Sequence, residues 1–219
     1  MDELAPGQLR VIPLGVSQLR AVAILHRDVL PPSLFSRLGQ RFLRQYLDTF
    51  RTSPHATALV AVQDEQVLGF LVGIVSPPAH GRWVLRAAGA KLGLLGLVGL
   101  LGRPVLLAHF LRTRLGRYVR GLTRRLGRTG GVEHDTAVGV PAVLAHVAVS
   151  PHAQGRGVGQ ALVQGFADDV RAGGRSVIEL VTRAGSDAEA FYQRLGYERI
   201  GERVDDDHIA WASYRHCLV

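Results

Sequence analysis

A glycine-rich tract, Gln154-Gly155-Arg156-Gly157-Val158-Gly159, sits between an apolar run and the start of a helical pattern. Strand, turn and helix in immediate succession bring successive backbone N–H groups to converge on a vacant volume at the positive end of the helix, which is a site for an anion. Glycine suits such a turn because a phosphate must approach the main chain more closely than a Cβ permits, and because some turn angles need positive φ. Alignment of the anion with the helix dipole contributes about 0.3–1 kcal/mol, rising to about 2 kcal/mol when partly buried.

Three phosphate-binding patterns compete for this tract. A P-loop fails, because no Gly-Lys-Ser/Thr follows the glycines. A dinucleotide fingerprint finds its acid in Glu179, twenty residues beyond Gly159, but Gln160 or Leu162 stands where a third Gly or Ala is required. The third pattern fits. The tract resembles the Gln/Arg-x-x-Gly-x-Gly/Ala signature of the GCN5-related N-acetyltransferases, and Phe191-Tyr192-Gln193-Arg194-Leu195-Gly196-Tyr197 is similar to that family's Phe/Leu-Tyr-x-x-Leu-Gly-Phe box. The resemblance is tight over residues 141–204. Over residues 9–75 it extends only to the order of a strand, two helices and a hairpin.

The resemblance implies an acyl-CoA co-substrate and no metal. It pairs the backbone of Val147, Ala148 and Val149 with the pantetheine arm, and gives the pyrophosphate to Gln154, Gly155, Arg156, Gly157, Val158, Gly159 and Gln160. It also implies that strands 143–149 and 176–182 splay apart to admit the thioester. Tyr192 matches the position of the family's general acid, which protonates the departing thiolate; a thiol of pKa about 8.5 needs only modest help. The competing reading of Tyr192 is an aromatic packed at a helix–sheet boundary, although Ala188 and Tyr192 lie on one helix side and both match the family pattern.

Two departures stand out. Gly185 occupies the place, seven residues before the tyrosine, where the family often has asparagine. The family's usual base positions, four and six residues before Val149, hold Ala145 and Val143. His146 is adjacent, but strand alternation directs it to the face opposite Val147 and Val149 unless a bulge intervenes. Glu179, His134, His80 and His208 are further candidates, and Asp205, Asp206 and Asp207 read more simply as a solvated turn. An amine that arrives neutral needs no base.

The elements that must position these residues are legible. From Val140 onward the pattern gives a strand (143–149), the glycine turn, a helix (157–171), a strand (176–182), a helix (187–194) and two short strands (199–204 and 209–216). Upstream, an apolar stretch at Leu9, Val11 and Ile12 precedes a helix over 17–28 with Ser17 as its cap. A second helix runs from Ser33, with Leu34, Leu38, Phe42, Tyr46 and Phe50 at intervals of four. Apolar runs at 57–62 and 67–75, separated by Gln63-Asp64-Glu65-Gln66, read as a hairpin. The expected fold class is α/β (α+β): a mixed, mostly antiparallel sheet with helices on both faces and a helical insertion between strands 3 and 4.

The chain has 219 residues, 47% of them hydrophobic, which predicts one domain spanning 1–219 with an insertion at about 78–135. The single cysteine, Cys217, excludes an internal disulfide and a multi-thiolate zinc site, and Met1-Asp2-Glu3 lacks the basic start of a secretory signal. The expected location is cytoplasmic, with room for a peripheral membrane association. Net charge is +8, yet Arg82, Arg86, Lys91, Arg103, Arg112, Arg114, Arg117, Arg120, Arg124, Arg125 and Arg128 lie in a stretch without an acid, from Glu65 to Glu133. The 15 remaining basic residues against 18 acids leave the body at −3.

Within the insertion, the apolar run 92–101 is too short to span a bilayer, and Arg103-Pro104 interrupts it. Leu107, Leu111, Leu115, Val119, Leu122 and Leu126 then recur at threes and fours among arginines, a cationic amphipathic helix. Such a segment could be a lid over the sheet or a homodimer contact. It could equally be an apolar sleeve for a long acyl chain, worth about 0.8 kcal/mol per buried CH₂, or a surface for an acidic acyl carrier protein or an anionic bilayer. Nucleic acid fits poorly, because the stretch holds few stacking aromatics (Trp83, Phe110, Tyr118). The expected activity is acyl transfer from CoA, or from a carrier protein, to an amine. A non-catalytic acyl-CoA-binding or membrane-surface adaptor is the other class of function. The acceptor, whether small amine, amino sugar, lysine or peptide N-terminus, stays open.

Overall fold

The computed structural model describes residues 7–30, 37–101, 140–205 and 208–218. In chain order it contains β1 (Arg10–Pro13), α1 (Leu19–Val29), α2 (Gln40–Thr52), β2 (Ala56–Gln63), β3 (Gln66–Ile74), α3 (Pro77–Ala87), α4 (Gly89–Leu101), β4 (Ala142–Val149), a 3₁₀ turn (Pro151–Ala153), α5 (Val158–Ala172), β5 (Val177–Arg183), α6 (Asp187–Arg194), β6 (Glu198–Val204) and β7 (Ala210–Cys217).

The seven strands form one sheet in the order β1-β2-β3-β4-β5-β7-β6, antiparallel throughout except for β4 against β5. The β2–β3 hairpin closes through Asp64 and Glu65, both at positive φ (46° and 64°), the backbone of a two-residue turn whose twist suits the strands beside it. β2 and β3 read as almost continuous apolar runs because they are covered on both sides. On one face, α1 and α2 bury Val22, Leu43, Leu47 and Phe50 against Val60, Phe70, Val72 and Ala148. On the other, α5 and α6 bury Leu162, Phe166 and Tyr192 against Leu59, Leu71, Leu144, Ile178 and Tyr214. The mixed sheet with helices on both faces is therefore the fold read from the sequence.

Local corrections have physical causes. Ser17 does not cap α1; Gln18 is the boundary residue, and its Oε1 accepts the Gly15 N–H at 3.0 Å. The helix expected from Ser33 is interrupted at Gly39, which holds φ 104°: Arg37 is helical, Leu38 is buried, and α2 runs on from Gln40, while residues 31–36 lie outside the described residues. Pro77-Pro78, which breaks the strand pattern, opens α3, where a first-turn proline costs no hydrogen bond. Helices α3 and α4 thus follow β3 as the helical insertion requires. The basic amphipathic stretch from Leu107 to Leu126 lies outside the described residues.

Candidate active site

β4 and β5 are the only parallel neighbours among the described strands, and their ladder is two residues long: Ala142 pairs with Ile178 and Val143 with Glu179. From Leu144 to Val149 the β5-facing edge of β4 has no strand partner, and Leu180 to Arg183 leave the facing edge of β5 equally bare. The two strands open a cleft lined by backbone donors and acceptors, into which an extended amide-bearing chain can pair as an extra strand.

The cleft leads to the glycine turn. Gly155 and Gly157 hold φ 73° and 78°, and a Cβ at either would meet nothing within 4 Å, so positive φ is what requires glycine there. Gly159 is glycine for a different reason: its Cβ would come 3.2 Å from the Phe191 ring and 3.5 Å from Val149. Among the described residues no acceptor takes the amides of residues 155–160; Ala161 N–H, bonded to the Gly157 carbonyl, is the first that is satisfied. These free amides, at the start of the 15-residue α5, form an anion cradle. Gln154, expected to touch the ligand, donates its side-chain amide to the Val149 carbonyl at 3.2 Å and so closes the turn, while Arg156 is exposed beside it.

Tyr192 sits on α6, 5% exposed, with its ring against Phe191, Tyr197 and Tyr214 at 5.1, 5.5 and 6.5 Å between centroids. Burial, with a smaller contribution from Tyr197, pushes its phenol well above the ordinary tyrosine value, so the hydroxyl is protonated at neutral pH. It has no hydrogen-bond partner among the described residues. A network that sequence reading missed anchors α6: Tyr214 Oη donates to Glu189 Oε2, the Gly185 N–H donates to Glu189 Oε1, and Gln193 Nε2 donates to Tyr214 Oη at 3.4 Å. Ser186-x-x-Glu189 is a capping-box pattern, the signal that pointed to part of it. Gly185, at φ 73°, supplies a backbone N–H to this cap where the family pattern has an asparagine side chain.

β4 carries a bulge. Val72 pairs with His146 and Gly73 with Leu144, leaving Ala145 without a partner. Leu144, Val147 and Val149 pack toward α5, whereas Ala145 and Ala148 pack toward α1 and α2. His146 shares the second face: its Nε2 lies 3.1 Å from the Tyr46 hydroxyl and its ring meets His26 edge-on at 4.9 Å. Burial and the neighbouring His26 lower the His146 pKa to about 3. His146 is thus held between Tyr46 and His26 on the α1–α2 face, and a neutral ring of such low proton affinity is a poor base for an ammonium ion.

Glu179, His80 and Asp205 are engaged elsewhere. Glu179 Oε1 accepts from Arg215 Nη2 at 2.6 Å and Nε at 2.9 Å. His80 is buried, bonded to Ser53 Oγ at 2.9 Å and stacked on Trp83. His208 is an exposed turn residue at φ 58°, and Asp205 receives the Trp211 indole N–H at 2.8 Å. His134, Asp206 and Asp207 lie outside the described residues. Among the described residues no three His, Cys, Asp or Glu side chains gather as metal ligands.

Residues 130–218, which contain β4 to β7, the cleft and the glycine turn, match the model described as "Acetyltransferase (GNAT) domain". Over these residues the chain is similar to the GNAT acetyltransferases. No curated protein matches it in sequence. Among solved structures it is similar in fold to a ribosomal-protein-alanine N-acetyltransferase from Brucella melitensis, with 15% identity, a TM-score of 0.58 and coverage of 95% of this chain and 99% of that one. It is similar to the ribosomal-protein-S18-alanine N-acetyltransferase from Escherichia coli, with 13% identity, a TM-score of 0.54 and coverage of 96% and 94%. It is also similar to NAA60 from Arabidopsis thaliana, solved in complex with acetyl-CoA, with 12% identity, a TM-score of 0.55 and coverage of 96% and 99%. The chemistry implied by a GNAT domain is acyl-CoA-dependent N-acetyl transfer, and the bare strand edges and free amides have the form such a co-substrate needs.

Proposed function

We propose that this GNAT domain moves an acetyl group from acetyl-CoA directly to a primary amine, with Tyr192 as the general acid. The observation that supports the reading best is the continuity of two backbone surfaces: the β4 edge from Leu144 to Val149, which has no strand partner, and the free amides of residues 155–160. The edge suits the amides of pantetheine, with the backbone of Val147, Ala148 and Val149 alongside it, and the turn suits a pyrophosphate. The amine lone pair attacks the thioester carbonyl carbon, the C–S bond breaks, and the electron pair leaves on sulfur. Tyr192 donates a hydrogen bond to that sulfur, its proton transfers as charge develops there, and the phenolate takes back, through water, the proton that the amine sheds. The acceptor arrives neutral and sheds its surplus proton to water, since His146 is held at a pKa of about 3.

Titration calorimetry with acetyl-CoA, followed by thiol release with a panel of amines, tests the proposal. Binding plus turnover that falls in Tyr192→Phe supports it. Binding without turnover on any amine assigns the domain to the non-catalytic acyl-CoA-binding class, and absence of binding overturns both.

A further inference from the structure

We propose that the outer face of α3 and α4 docks on an anionic lipid bilayer, with Leu94, Leu97 and Val98 in the interfacial layer and Arg82, Arg86 and Lys91 against the headgroups. The proposal stands apart from the acyl-transfer reading.

Its basis is an inverted helix. In α4, Gly96 and Gly99 face α2: a Cβ on Gly96 would lie 3.5 Å from the Phe42 ring, and one on Gly99 would lie 2.6 Å from the Leu38 carbonyl oxygen. The small side has been packed inward and the large apolar side outward. At 3.6 residues per turn, Leu94, Leu97 and Val98 occupy an arc of about 100°, with Lys91 at its edge and the two glycines behind. They are 63%, 52% and 60% exposed, and Leu85 at the end of α3 is 51% exposed. Half of the eight large apolar side chains exposed among the described residues thus fall within residues 85–98. Such clustering marks an interaction surface.

Charge selects the partner. Arg86 and Lys91 are exposed, as is Arg82 one turn before Arg86, and none of the three has an ion pair among the described residues. No acidic residue occurs between Glu65 and Glu133 to offset them. An exposed apolar stripe with Lys91 at its edge, and further cations exposed on the helix before it, suits a helix lying in the plane of an anionic interface. No described helix is long and apolar enough to cross a membrane, so the contact is with the surface.

The test is co-sedimentation of the full chain with sucrose-loaded vesicles, either pure phosphatidylcholine or phosphatidylcholine containing one third phosphatidylglycerol, without acetyl-CoA. Binding is expected on the anionic vesicles and should weaken about fivefold for each of Arg82, Arg86 and Lys91 changed to Gln. The variant Leu94→Ser/Leu97→Ser/Val98→Ser should lose about tenfold or more while keeping its melting temperature, because these side chains are exposed. With Cys217→Ser and Leu97→Cys, an environment-sensitive fluorophore on the new thiol should shift to the blue on anionic vesicles. Wild-type failure to bind, equal binding by the triple-serine variant, or an unshifted fluorophore overturns the proposal. So does a stable dimer that the triple-serine change dissolves in a protein with no vesicle affinity. None of these outcomes bears on acetyl transfer, which is measured separately on soluble amines.

Discussion

The hydroxyl of Tyr46 on α2 lies 3.1 Å from Nε2 of His146 on β4, joining two residues one hundred positions apart beneath the first helical layer. Because burial holds His146 neutral, the phenol is placed to donate into an unprotonated nitrogen. The pair fixes α2 to the bulged strand. Replacing Tyr46 by Phe should lower stability by about 1 kcal/mol through the lost bond, with small effect on kcat; chemical denaturation and steady-state kinetics measure the two.

The same burial sets a pH dependence. His146 has a folded-state pKa of about 3, below the ordinary value near 6.5, and that of His26, whose ring nitrogens have no partner, is also lowered by burial. The unfolded chain therefore binds more protons than the folded one between those values. Stability is full above about pH 6.5 and declines as pH falls toward the folded pKa. Melting temperature should drop from pH 7 to pH 5, and His146→Gln should flatten that slope. Acid loss of kcat in the same range without loss of folded protein would instead return His146 to a role as base.

Tyr192→Phe keeps the ring packed edge-on and tilted among Phe191, Tyr197 and Tyr214 and removes only the hydroxyl. The expected result is a fall in kcat of about a hundredfold, with the affinity for acetyl-CoA and the melting temperature nearly unchanged. A wild-type kcat would leave Tyr192 as packing alone.

The fold was legible in the sequence wherever local chemistry decides the backbone. Asp187–Arg194 emerged as a helix, and the strands around the glycine turn emerged within a residue or so of their ends, because apolar periodicity and glycine report on local burial and φ. The continuity of the helix expected from Ser33 was misread, because apolar spacing at fours runs on through Gly39, where a single positive φ interrupts the helical backbone. In the site, the turn and Tyr192 were visible as motifs, but the reasons for individual glycines were not: Gly155 and Gly157 serve φ, and Gly159 serves the Phe191 ring. The Ala145 bulge, the Tyr46–His146 contact and the anchoring of Glu189 by Tyr214 depend on which strands meet, and residue spacing carries little of that.

Glu189 offers a test of how α6 holds the site. Its carboxylate accepts from Tyr214 and from the Gly185 N–H, and its pKa is lowered chiefly by the Tyr214 bond. A depressed carboxylate pKa means stability present above the unfolded value near 4.5 and lost as pH falls through the folded value, so Glu189→Gln should resemble acid in its effect on melting temperature.

The glycine turn can be separated into its two functions by paired substitutions. Gly157→Ala forces a Cβ into φ 78° with open space around it, so the cost of about 1 kcal/mol or more is backbone strain at the N-terminal boundary of α5. Gly159→Ala leaves φ ordinary but presses on Phe191, the neighbour of Tyr192, at 3.2 Å. The first should therefore weaken acetyl-CoA binding, as the free amides lose their alignment, with kcat at saturation little changed. The second should lower kcat more than affinity, as α6 is displaced. Calorimetry of acetyl-CoA binding and kcat at saturating donor read the two effects independently, and identical profiles for both variants would show that the turn acts as one unit.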